Sequence, residues 1–130
     1  MKFNSLIPEL SVSDIRITKK FYIDILGFQL EYERESNKFV FLSYGESQLM
    51  FEEFHLDGWY VDVLEYPLGR GLNFSIYCDD IDSLYKRVKN NQIKIYRELK
   101  ETTYLYNDEE KVQKEFLIQD PDGYLLRFTN

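Results

Sequence analysis

The chain has 130 residues, one domain's worth, and its 44% hydrophobic content is enough to fill a core. A formal net charge of −7 argues against nucleic acid and anionic membrane surfaces, both of which call for a basic face. No apolar run is long enough to span a bilayer, and Met1–Leu6 carries no secretory apolar core. The single cysteine, Cys78, cannot form an internal disulfide and reads as a small core residue. These features together lead us to expect a cytoplasmic protein. Aromatic residues are abundant at 17%; such rings fill cores and also line pockets for flat ligands.

Phe3–Val12 reads as a strand, broken or held at a sheet edge by Pro8, which has no N–H. Ser13-Asp14 offers an N-cap. Ile15, Ile17, Phe21, Tyr22, Ile25 and Leu26 then recur near helical spacing as far as Gly27, which predicts a helix over Asp14–Leu26. Strands follow at Phe28–Glu33, Phe39–Tyr44 and Gln48–Phe54, punctuated by Asn37-Lys38 and Gly45-Glu46. Residues 55–71 show no period and carry Gly58, Pro67, Gly69 and Gly71, so they read as a linker. Trp59, Tyr60 and Tyr66 are more aromatic surface than a solvated linker needs.

The pattern then restarts. Leu72–Cys78 reads as a strand, and Asp79-Asp80 caps a helix whose apolar stripe is Ile81, Leu84, Tyr85 and Val88. Asn90-Asn91 closes that helix, with asparagine expected in the left-handed region. Lys94–Leu99 is a further strand, and Lys100–Lys114, a polar stretch with Tyr104 and Tyr106, reads as loop or short strand. Glu115–Ile118 and Tyr124–Phe128 flank the turn Asp120-Pro121-Asp122-Gly123. There proline presets φ, aspartate caps locally and glycine supplies the positive φ, so the segment reads as a β-hairpin.

The order β-α-β-β-β therefore occurs twice. Ser13-Asp14-Ile15 is echoed by Asp79-Asp80-Ile81, Phe21-Tyr22 by Leu84-Tyr85, and the hairpin Phe39–Phe54 by Phe116–Phe128. Internal duplication predicts an α+β fold of two βαβββ modules, 1–54 and 72–130, joined by the linker 55–71 within a single domain 1–130. Two such modules side by side, each backed by a helix, are expected to leave a curved mixed sheet with a concave cavity.

Val12-Ser13-Asp14-Ile15, Phe21-Tyr22 with Leu26-Gly27-Phe28, and Asp120-Pro121-Asp122-Gly123-Tyr124-Leu125-Leu126-Arg127-Phe128 resemble the vicinal oxygen chelate superfamily. This group includes glyoxalase I, extradiol dioxygenases, fosfomycin resistance enzymes and bleomycin resistance proteins. The resemblance spans essentially the whole chain. It specifies a fold and not an activity, because one scaffold hosts several chemistries. Enzymes of the superfamily hold a divalent ion through side chains on the first and last strands of each module. The matching positions here are Ile7, Glu52, Asn73 and Arg127. One good donor in four, with a cation in another slot, implies no metal and no other cofactor.

The lost ligands and the ending Tyr124–Phe128 look most like the bleomycin resistance branch, whose members bind a cationic antibiotic between two subunits and do no chemistry on it. This implies a dimeric, non-catalytic protein that sequesters a planar, cationic small molecule of the bleomycin type. Glu52, Phe54, Trp59, Tyr60, Asn73, Tyr104, Tyr106 and Arg127 are the candidate ligand-binding residues, and none is expected to be catalytic. Alternation places Glu52 and Arg127 on the concave side, where they could form an ion pair in the position of the metal. The lone histidine, His55, lies outside the slot register and reads as a loop or surface residue. The alternatives are a metal-dependent glyoxalase- or dioxygenase-like enzyme built on Glu52, and an accessory domain with a vestigial cavity.

Overall fold

The computed structural model describes residues 2–130. The chain forms two compact units, Met1–Leu68 and Gly69–Asn130. In the first, β1 (Glu9–Val12) leads through a helix into β2 (Gln29–Arg34), β3 (Phe39–Tyr44) and β4 (Ser47–Glu53). In the second, β5 (Phe74–Tyr77) leads through helix α2 (Ile81–Asn90) into β6 (Ile95–Tyr106), β7 (Glu109–Gln119) and β8 (Leu125–Thr129). Each unit carries its own four-stranded mixed sheet, ordered β1-β4-β3-β2 and β5-β8-β7-β6. The expected duplication is therefore present strand for strand. In both sheets the first strand pairs in parallel with the last, and the remaining pairs are antiparallel. A parallel pair needs a crossover, and the helix of each unit provides it.

The helix of the first unit starts where its cap predicts. Asp14 is extended, and its carboxylate accepts from the Arg16 N–H at 2.9 Å. Helix α1 (Ile15–Lys19) then widens into a π-helical segment, Lys20–Ile25, in which the Leu26 N–H reaches Phe21 O at 3.0 Å. Phe21, Tyr22 and Leu26 are thereby all buried, and Tyr22 packs on Phe51 with ring centroids 4.5 Å apart. Gly27 takes the expected positive φ of 89°. Helix α2 is capped by Asp80 and buries Ile81, Leu84 and Val88. Its Tyr85 packs on Phe116, which in turn stacks on Phe128.

Several boundaries differ from expectation. Strand β1 begins at Glu9 rather than Phe3, because residues 2–8 lie before the ladder with β4 and Pro8 sits at its edge. The left-handed residue after α2 is Gln92 (φ 55°) rather than an asparagine; Asn91 instead bonds Arg87 O through its side-chain amide. The largest difference is Lys100–Lys114. It forms most of a long hairpin, with β6 paired to β7 from Ile95↔Ile118 out to Tyr106↔Glu109. Asn107 (φ 51°) and Asp108 (φ 64°) close it as a two-residue turn of the kind that matches strand twist. Strand β8 supports only Glu115–Gln119, so the outer part is a two-stranded ribbon exposing Tyr104, Leu105, Tyr106 and Val112. Cys78 is buried, as expected of a core thiol. Among the described residues, no helix is long and apolar enough to cross a membrane.

The closing turn is held by one buried carboxylate. Asp120 Oδ1 accepts from the N–H groups of Asp122 and Tyr124, both at 2.9 Å, and Gly123 takes φ 94°. Asp120→Ala would leave two N–H donors without that acceptor. It is expected to cost about 2–4 kcal/mol of stability, read by urea unfolding; a loss under 0.5 kcal/mol would contradict the argument. In the first unit, Glu53 at the end of β4 accepts from the Ile15 N–H and from Lys38 Nζ, both at 3.0 Å. The backbone bond, then the lysine, holds its carboxyl below the ordinary glutamate range. A depressed carboxyl stabilises the fold above its unfolded pKa, and that contribution disappears as pH falls through the folded value. Glu53→Ala should therefore cost about 1 kcal/mol at neutral pH. Thermal melts of variant and parent should converge as the acid titration of Glu53 is completed.

Candidate functional site

The sheet of the first unit has one face on the helix and one facing away. On β4, Leu49 and Phe51 are buried on the helix side, while Gln48, Met50 and Glu52 alternate to the open side. Register extends the open face across the sheet. Ser11, Glu52, Phe39 and Arg34 form one cross-strand row, and Glu9, Met50, Phe41 and Tyr32 form the next. Strict alternation along β2 would send Tyr32 and Arg34 to the helix side. A bulge between Leu30 and Tyr32 shifts the register and turns both outward.

The face away from the helix is aromatic and charged, with Phe39 and Phe41 buried beneath their neighbours and Arg34 exposed. Tyr32 and Phe41 stack with centroids 5.4 Å apart and planes 8° apart. The Arg34 guanidinium lies over the Phe39 ring, 3.9 Å from its centroid, and 6.0 Å from that of Tyr32. Glu52 Oε1 is 2.6 Å from His55 Nε2, and the Tyr60 hydroxyl donates to His55 O at 3.0 Å. Glu9 lies on the neighbouring strand. Partial burial and then the Glu52 charge raise its carboxyl above the usual value, and Arg34 opposes the shift.

In the second unit the equivalent face carries Ser75, Arg127, Leu117 and Arg97 in one row. Arg127 Nη1 lies 3.8 Å from Glu115 Oε2, so its carboxylate partner belongs to its own unit, as the partner of Glu52 belongs to the first. Asn73 is exposed just before β5.

The structure thus brings Glu52, His55 and Tyr60 together, with His55 in an exposed position. Phe54 follows the end of β4, its N–H donating to Val12 O at 2.9 Å and its ring 39% exposed. Trp59 is 94% exposed. Tyr104 and Tyr106 lie on the outer ribbon, about 23 and 30 Å along β6 from Arg97 and hence well away from the row of Arg127. The residues not anticipated from sequence are Glu9, Tyr32, Arg34, Phe39 and Phe41. Their cue was an aromatic and charged alternation in β2 and β3, which acquires meaning only once the bulge is known.

The profile of the glyoxalase/bleomycin resistance protein/dioxygenase superfamily matches residues 3–128. The chain belongs to this superfamily. A superfamily member from Vibrio splendidus 12B01 is 37% identical over 93% of each chain, with a TM-score of 0.44. A glyoxalase/bleomycin resistance protein/dioxygenase from Alicyclobacillus acidocaldarius is 24% identical, with 97% of this chain and 89% of that one covered and a TM-score of 0.67. TioX from Micromonospora sp. ML1 is 16% identical over 98% of each chain, with a TM-score of 0.74. The last two share the fold. No curated protein shows significant similarity to this chain.

Members of the superfamily that hold a divalent ion need lone pairs at the four strand slots. Ile7 has none, Arg127 is a cation paired with Glu115, and Glu52 is engaged by His55. Among the described residues, no three or more His, Cys, Asp or Glu side chains are grouped to hold a metal ion. The donor set does not fit the family's metal.

Glu9 allows a direct electrostatic test. A carboxyl raised by folding costs stability as pH climbs from its unfolded to its folded value, and that cost persists above it. Glu9→Gln should therefore raise the melting temperature at pH 7 and leave it unchanged below about pH 3, where both states carry the acid. A variant less stable than the parent at pH 7 would contradict this placement of the charge.

Proposed function

We propose that this protein is a non-catalytic binder that sequesters a planar, cationic small molecule on the aromatic and acidic open face of its first unit, in the manner of bleomycin resistance proteins. The observation that carries the reading is Arg34. Its guanidinium is itself a flat cation, lying on the Phe39 ring in the same cross-strand row as Glu52. The face is therefore already suited to a delocalised cation between an aromatic surface and a carboxylate. Arg34 stands on an edge strand and is exposed, so a guest can displace it outward. Glu9 and Glu52 repel one another, and a bound cation would relieve that repulsion. The metal slots offer no competing chemistry through their donors, which favours sequestration over turnover.

The test is thermal unfolding with metal-free bleomycin, copper-loaded bleomycin and ethidium as a simple planar cation. A ligand at about 100 times its dissociation constant adds roughly 2.7 kcal/mol, several degrees for a chain of this size. Glu52→Gln should weaken the shift. Arg34→Ala should strengthen it by uncovering Phe39. Absence of a shift with all three probes would overturn sequestration of a planar cation, while a shift with ethidium alone would retain the class and discard the antibiotic.

A further inference from the structure

The same face holds a second arrangement, built around Gln48. Residues 2–4 lie outside the sheet, yet the Gln48 side chain ties them to it at two points. Gln48 Nε2 donates to Lys2 O at 2.6 Å, and Gln48 Oε1 accepts from the Asn4 N–H at 2.7 Å. A carboxamide here takes the place of a neighbouring strand's peptide group, reading a C=O and an N–H on either side of residue 3. Asn4 Nδ2 adds a bond to Glu46 O at 2.7 Å. Between the two Gln48 bonds, Phe3 sets its ring edge-on against Phe41 at 5.3 Å and against Tyr32 at 6.5 Å. These rings are the stacked shelf of the open face.

The attachment is slight. Lys2, Phe3 and Asn4 are all exposed, and Phe3 keeps 55% of its surface in water. Beside them opens a cavity of about 520 Å³, bounded by Lys2, Asn4, Glu31, Ser43, Glu46 and Gln48. A short exposed segment held by three hydrogen bonds and one ring can leave without unpairing any strand, and the place it leaves is already shaped for an aromatic ring flanked by two amide bonds.

We propose that Gln48 with the Tyr32–Phe41 shelf is a subsite for a peptide-like ligand group, an aromatic ring carried between amides, and that Lys2-Phe3-Asn4 occupies it as a built-in competitor. The inference rests on the sequestration reading and adds a chemical class to the guest: besides its planar cation, the ligand carries an aromatic amide segment. Binding of that segment requires the strap to leave. A strap that covers the subsite nine-tenths of the time weakens apparent affinity about tenfold.

The experiment compares the full chain with the double variant Phe3→Ala/Asn4→Pro, which removes the ring and one of the two Gln48 contacts. The probe is N-acetyl-phenylalanine N-methylamide, whose acetyl C=O and terminal N–H match the groups Gln48 reads. The control is the alanine analogue. Titration is followed by NMR, including the Gln48 side-chain amide signals. The released variant should bind the phenylalanine probe about tenfold more tightly than the parent. The alanine analogue should not bind, and adding Gln48→Leu should abolish binding. Equal affinity in parent and released variant, or binding indifferent to Gln48→Leu, would overturn the proposal. Ethidium separates the two ideas. If ethidium binds through Glu52 while the phenylalanine probe fails, only the subsite is lost; if the probe binds while ethidium does not, the planar-cation reading fails and the subsite stands.

Discussion

The period of two along β4 is the constraint on which the first unit depends. This strand lies inside its sheet, paired in parallel with β1 and antiparallel with β3. Leu49 and Phe51 therefore face the helix, and Gln48, Met50 and Glu52 face away. A slip of one residue would bury Glu52 and expose Phe51, costing both the packing against Tyr22 and the solvation of a charge. Core and site are fixed by the same alternation. Glu53 adds a further tie, since the residue after Glu52 bonds the first N–H of α1. The strand that displays the site also anchors the helix behind it.

Charge on the open face follows from the same placement. Two carboxylates on adjacent strands repel, and the charge of Arg34 opposes the effect on Glu9. That counter-charge is not locked in place. Arg34 is exposed, and its hold on Phe39 is worth only about 0.5–1 kcal/mol. An arrangement evolved for stability alone could replace either carboxylate with an amide.

Much of the fold was legible because its signals are local. Asp14 and Asp80 cap helices by side-chain chemistry that needs no partner beyond the next turn. Gly27 and Gly123 occupy positive φ, and Asp120 organises its turn from within four residues. The duplication was legible because each copy repeats these marks in order. The ribbon of β6 and β7 was not, because both of its faces are exposed and its apolar residues, such as the consecutive Tyr104, Leu105 and Tyr106, lack the alternation that identifies a half-buried strand. Its turn, Asn107-Asp108, was a usable cue hidden among charged neighbours.

The candidate site was legible only where one strand sufficed. Glu52 could be placed from β4 alone. Arg34 and Tyr32 could not, because the bulge in β2 reverses which face they take. Cross-strand rows depend on register, and register across a bulge is a tertiary property. The same holds for Phe3, whose contacts with Phe41 and Tyr32 are made through a glutamine 45 positions away in sequence from the ring it helps to hold. The resemblance to a family directed attention to Ile7, Glu52, Asn73 and Arg127, of which Glu52 lies on this face. The rest of what the face carries lies outside those positions. Tyr32 and the buried Phe39 and Phe41 supply aromatic rings, Glu9 joins Glu52 in supplying charge, and Gln48 supplies paired hydrogen bonds. Rings, carboxylates and a carboxamide each offer a different non-covalent contact, and alternation along β4 sets two of these groups, Gln48 and Glu52, on the same side of one strand.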